Sequence, residues 1–150
     1  MDYLESLVPT QLSSSNPNCR ALRVLIVDDV PQVRQELRGL LQLTSELEVV
    51  GEAANGLEAI SQAEALRPDV VVMDLEMPLM DGYEATRQIK TRRLACRVVA
   101  LTIHVGEAER QQALQAGMAD VVVKGAPLEV LLRAIWASAA DRGAPTGDSA

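Results

Sequence analysis

At 150 residues and 48% hydrophobic content, the chain has the size and apolar mass of one ordinary domain with one sizeable core. Aromatics make up only 2% (Tyr3, Tyr83 and Trp136, with no Phe), so that core has to be built from Val, Leu, Ile, Ala and Met. A net charge of −7, with no Lys/Arg cluster and no aromatic platform for stacking bases, argues against direct nucleic-acid binding by this segment.

Residues 1–20 are rich in Ser, Asn, Pro and Gln and read as a flexible N-terminal arm. They have neither a basic n-region nor a continuous apolar h-region, so they are not a secretory signal. No apolar run approaches the roughly 20 residues that cross a bilayer, and a cytoplasmic protein is expected. Cys19 and Cys96 are isolated, with no CxxC or Cys/His spacing for zinc and no disulfide framework.

From residue 21 the pattern becomes regular. Short apolar, β-branched runs recur at Leu22–Val27, Leu47–Gly51, Val70–Met73, Val98–Leu101 and Val121–Val123, as expected of strands covered on both faces. Helical signals fill the gaps. After Pro31, Val33, Leu37, Leu40 and Leu41 fall at i, i+4, i+7 and i+8, a core-facing stripe. Asn55-Gly-Leu-Glu58 and Asp81-Gly-Tyr-Glu84 have the form cap-x-x-Glu and open helices over about 56–66 and 82–92. A fourth helix covers about 107–116 and stops at Gly117; a fifth starts near Pro127 and aligns Leu128, Leu131, Leu132 and Ile135. Residues 141–150 read as a C-terminal tail, leaving one domain at 21–140.

Five strands alternating with five helices through short loops imply an α/β fold, a doubly wound parallel sheet with right-handed crossovers. In such sheets the chemistry lies beyond the carboxyl ends of the strands. There the first strand ends in Asp28-Asp29, the third in Asp74, the fourth in Thr102 and the fifth in Lys124. The second ends in Gly51-Glu52-Ala53-Ala54, with no comparable group. A lone Asp at a strand end is ordinarily a cap or turn residue. Three carboxylates converging on one edge repel one another, and a hard divalent cation such as Mg²⁺ relieves that repulsion.

With these residues in this order, and with MPLMDG following Asp74, the chain resembles the receiver domain of two-component response regulators over about residues 22–140. The resemblance implies the flavodoxin-like (βα)5 fold with strand order 2-1-3-4-5. It implies that Asp74 accepts a phosphoryl group from a histidine kinase or phosphotransfer protein. Asp28, Asp29, Asp74 and the backbone carbonyl of Glu76 would hold Mg²⁺, with Asp29 favoured as the closer ligand of the acidic pair. Thr102 and Lys124 would contact the phosphoryl oxygens. Such a chain is a phospho-accepting switch rather than an enzyme acting on external substrates.

Other residues qualify the pattern. Pro78 shapes the loop after the acceptor, and His104, two residues after Thr102, is a candidate for tuning dephosphorylation. Val121 stands where the family often has a switching Tyr or Phe, Ile103 where a small residue is common, and Gly125 where a Pro often follows the lysine. On the fifth helix, Val130, Ala134 and Trp136 remain after the core face is assigned. They read either as a broadly buried helix or as a homodimer or partner face built from the fourth helix, fifth strand and fifth helix. A haloacid-dehalogenase-like phosphatase shares the same residue types but carries its nucleophile on the first strand in a DxD motif, which is missing here. A degenerate receiver serving as a constitutive binding module is the third reading; the intact Asp/Asp/Asp/Thr/Lys set argues against it. With no room for a helix-turn-helix after residue 140, the chain reads as a stand-alone receiver or as a fragment of a longer regulator.

Overall fold

A computed structural model describes residues 21–103 and 105–143. The expected N-terminal arm with Cys19, His104, and the tail from residue 144 lie outside the described residues. Strands and helices alternate strictly: β1 (Leu22–Val27), α1 (Pro31–Leu41), β2 (Leu47–Ala53), α2 (Gly56–Leu66), β3 (Val70–Asp74), α3 (Gly82–Thr91), β4 (Arg97–Thr102), α4 (Glu107–Ala116), β5 (Asp120–Val123) and α5 (Leu128–Gly143). The strands form one five-stranded sheet in the order β2-β1-β3-β4-β5, with every neighbouring pair parallel, as expected. α5 runs to Gly143, three residues past the boundary expected at 140. β2 runs two residues beyond Gly51, because the ladder with β1 continues through Glu52 and Ala53.

The strands' two-residue period divides the apolar residues into two cores. Val24, Ile26, Val70, Val72, Val99, Leu101 and Val122 face α1 and α5, where Leu37, Leu41, Leu131, Leu132 and Ile135 cover them. Leu25, Val27, Val71, Met73, Val98, Ala100 and Val121 face α2, α3 and α4, covered by Ala59, Ile60, Ala63, Ala85, Ile89 and Ala113. Ala134 and Trp136 are buried with the first core, so α5 is broadly buried and only Val130 of the three side chains in question remains exposed. Leu40 departs from the expected stripe at 42% exposure. It borders a largely apolar cavity of about 310 Å³ between α1 and the start of α5, with Val33, Leu128 and Leu131 also in its lining. Among the described residues no helix is long and apolar enough to cross a membrane.

Local signals set the helix starts. The side chains of Asn55 and Asp81 accept the backbone N–H groups of Glu58 and Glu84 at 2.9 Å each. The glutamates do not complete the expected boxes: Glu58 accepts from Ala54 N–H, and Glu84 bonds Arg87 and Gln88 instead. Gly117 closes α4 at φ 106°, a conformation that favours glycine.

One irregularity bears on the site. Between Val24 and Leu25 the β1–β2 register shifts, so Val24 pairs with Val49 and Leu25 with Gly51, leaving Val50 as an extra residue on β2. Residues paired across a sheet share a face, so the bulge places Glu52 beside Ile26 on the α1 side. Uninterrupted pairing would have turned Glu52 to the other face.

Candidate functional site

β3 is the central strand and is buried along its whole length, ending in Asp74 at 6% exposure. Its neighbours bring the other groups. β1 leads into Asp28, 1% exposed, and the exposed Asp29. β4 ends in the buried Thr102, one residue past Leu101, the register partner of Asp74. Lys124 follows β5, and its N–H donates to the Thr102 carbonyl at 2.7 Å, so the fourth and fifth loops leave the sheet together.

These groups meet. The Lys124 Nζ lies 2.8 Å from Asp28 Oδ2 and 3.4 Å from Asp74 Oδ2. Asp28, Asp29 and Asp74 each offer a carboxylate oxygen within 4.8 Å of the others. All five residues expected from the strand ends are therefore at one edge. Three carboxylate oxygens at this separation fit a hard, oxygen-preferring divalent cation, and the exposure of Asp29 opens the site on one side. Glu76 is exposed and reaches the centre through its backbone, its N–H lying 3.4 Å from Asp74 Oδ1.

Burial is the largest influence on Asp74 and pushes its carboxyl above the ordinary value; the charge of Asp28 adds to this, while Lys124 and the Glu76 N–H pull it back. Burial alone would lower the Lys124 ammonium, but the hydrogen bond to Asp28 and the charges of Asp74 and Asp28 outweigh it and the net direction is up. Lys124 thus holds its charge through Asp28 and Asp74, whereas the Asp74 carboxylate has Lys124 and the Glu76 N–H on its side and burial and Asp28 against it.

The loop after Asp74 is tightly folded. Leu79 has φ 70°, and the Met80 N–H donates to the Pro78 carbonyl at 2.7 Å, an i→i+2 bond characteristic of a γ-turn. The chain then returns, with Gly82 N–H bonded to the Leu75 carbonyl at 3.0 Å. A Cβ on Gly82 would collide with the Asp74 carbonyl oxygen, so only glycine permits this approach. Ile103 is 61% exposed, and Val121 is buried against the second core, opposite Ala100.

Sequence reasoning missed three residues. The Arg34 Nε donates to Glu52 Oε1 at 3.0 Å, and one of its terminal nitrogens donates to the Asp28 carbonyl at 2.6 Å. Arg38 holds the other Glu52 oxygen at 2.7 Å. The Arg34/Arg38 spacing of four residues on one helix face was the available signal. Its partner on β2 was hidden because the bulge decides which way Glu52 points.

The model for the response regulator receiver domain family matches residues 24–136. The response regulator protein VraR of Staphylococcus aureus is 44% identical over 103 residues, which cover 69% of this chain and 49% of that protein. The chain thus spans about half the length of the curated relatives it matches. Among solved structures, a LuxR-family two-component response regulator from Aurantimonas sp. SI85-9A1 is 38% identical with a TM-score of 0.78, covering 81% of this chain and 87% of that one. The signal receiver domain of the NarL response regulator from Mycobacterium tuberculosis is 32% identical with a TM-score of 0.72, covering 81% and 95%. With the strand order, the acidic edge and these matches in agreement, the chain belongs to the response regulator receiver domain family, the receiver of a two-component response regulator.

Proposed function

We propose that the chain accepts a phosphoryl group on Asp74 from the phosphohistidine of a histidine kinase or phosphotransfer protein, and thereby switches a protein–protein surface. The observation that carries this reading is a buried carboxylate at the end of the central strand with an ammonium at 3.4 Å and two further carboxylates beside it. An Asp74 oxygen attacks phosphorus, the N–P bond breaks, and the imidazole nitrogen leaves with the electron pair. Lys124 moves from its contact with Asp28 to the incoming phosphoryl oxygens, and the Thr102 hydroxyl donates a hydrogen bond to them. Asp28, Asp29, Asp74 and the Glu76 carbonyl would hold Mg²⁺, which when bound would supply charge neutralisation at those oxygens.

An apolar rim supports docking of a protein donor. Val30, Leu57, Leu79, Ile103 and Val123 follow or end the five strands in turn, and they are 41%, 52%, 79%, 61% and 41% exposed. The output surface is the face of α4, β5 and α5, which Thr102 and its loop reach through the Lys124 N–H bond; this face is also where a homodimer would form. With Val121 in the core, the switch works through loop displacement rather than an aromatic rotamer. The cell compartment consistent with this chemistry is the cytoplasm.

Acetyl phosphate with MgCl2 should add one phosphoryl group by intact mass, and Asp74→Asn should remain unmodified. Labelling that persists in Asp74→Asn overturns the assignment.

A further inference from the structure

The structure points to a role for Arg34 that none of the strand-end residues covers. We propose that Arg34 is a positioning residue for the metal-binding acidic pair, locked in place by Glu52 of the bulged strand. The inference rests on the metal site proposed above and adds the device that orients it.

The Asp28 carbonyl belongs to the peptide that joins Asp28 to Asp29. A peptide is planar, so fixing its oxygen fixes the direction in which the chain leaves toward Asp29. Every other polar group of Asp28 is already tied. Its N–H donates to the Ala53 carbonyl at 3.0 Å, its Oδ1 accepts from Val30 N–H at 2.9 Å, and its Oδ2 pairs with Lys124 at 2.8 Å. Arg34 supplies the remaining contact at 2.6 Å and so determines the tilt of the Asp28–Asp29 peptide. Asp29 is exposed and gets its direction from that peptide.

Glu52 makes the contact stable. It takes the Arg34 Nε at 3.0 Å while Arg38 fills its second oxygen at 2.7 Å, and the Arg34 side chain is only 17% exposed. Arg38, Arg34 and, to a lesser degree, their charges alone hold the Glu52 carboxylate below its ordinary range, although burial opposes them. The carboxylate also offsets a guanidinium charge that would otherwise oppose a cation at the acidic centre. A lysine would carry its donors on one nitrogen at the end of a flexible stem, whereas the two Arg34 bonds leave from different nitrogens of one rigid fork and so fix the Asp28 carbonyl relative to Glu52.

The test is calorimetric titration of MgCl2 into the whole chain, with thermal unfolding measured separately without metal. Arg34→Gln should bind Mg²⁺ on the order of tenfold more weakly, the scale expected when a partner of a metal ligand is lost. Arg34→Lys should stay weak. Arg38→Gln removes a Glu52 bond but no contact with Asp28, so it should lower the melting temperature and keep wild-type affinity. A folded Arg34→Gln with wild-type affinity, or an equal loss in Arg38→Gln, overturns the proposal. If Arg34→Gln does not fold, Glu52→Gln takes its place, with a several-fold weakening expected and unchanged affinity overturning the idea. Failure of the wild-type chain itself to bind Mg²⁺ overturns the metal site, a result distinct from a failure confined to Arg34.

Discussion

Asp74 has to be charged to act as a nucleophile, yet it sits where burial and the neighbouring Asp28 favour its neutral form. The folded state therefore holds its proton more tightly than the unfolded state does. As pH rises from the ordinary value of 3.8 through the raised folded value, the folded state loses stability; above that window the loss is complete. Asp74→Asn should consequently melt a few degrees higher than wild type at neutral pH in metal-free buffer, and the gap should close as pH falls below 3.8. Calorimetric scans across that range check the sign; a variant that melts lower at neutral pH contradicts it. Lys124 runs the other way. Its folded value is raised, so its stabilisation is full below 10.5 and disappears as pH climbs through the folded value. Removing it leaves Asp28 and Asp74 buried without their ammonium. Because the lysine side chain is 22% exposed, the cost of Lys124→Ala is set below that of a fully buried pair, at about 1–3 kcal/mol in urea denaturation.

The loop between β3 and α3 shows how an element can hold one residue still. The α3 N-terminus is pressed against the Asp74 backbone at Gly82, where a methyl group would meet a carbonyl oxygen rather than a movable side chain. Gly82→Ala is expected to cost at least about 1–3 kcal/mol and to slow acetyl-phosphate labelling, since the displaced atom belongs to Asp74, the proposed acceptor. Leu79 is the opposite case: an exposed side chain at φ 70°, a strained conformation for a residue with a Cβ. Leu79→Gly should stabilise by up to about 1 kcal/mol, as read from the urea midpoint, and weaken docking of a protein donor while leaving small-molecule phosphorylation intact. Elements of this kind were legible in part. The apolar runs located all five strands, and the caps at Asn55 and Asp81 located two helix starts, because both signals are local. The edge residues Asp28, Asp29, Asp74, Thr102 and Lys124 were legible because parallel strands bring their carboxyl ends together. Leu40 was misread because its helical stripe says nothing about the gap between α1 and α5. Arg34 and Arg38 left a signal in their four-residue spacing, but their partner Glu52 was invisible because a one-residue bulge, a tertiary feature, decides which face it occupies.

At the scale of the molecule, two apolar cores sandwich a sheet whose carboxyl edge gathers negative charge, on a chain that already carries a net −7. The cores supply the stability, and the edge gives some of it up to keep three carboxylates together. A divalent cation that binds this edge only when the chain is folded should return stability by mass action. The return is about 2.7 kcal/mol at a concentration one hundred times the dissociation constant, or a melting shift on the order of 10 °C. Distributed repulsion predicts a different response, in which NaCl at equal ionic strength performs as well as MgCl2 because every surface charge is screened alike. Scanning fluorimetry in matched series separates the two. A much larger shift with MgCl2, diminished in Asp29→Asn, is expected of a localised site that spans β1 and β3. Equal shifts for the two salts, or a full MgCl2 shift in Asp29→Asn, would place the repulsion in the surface at large and count against metal binding by the acidic pair.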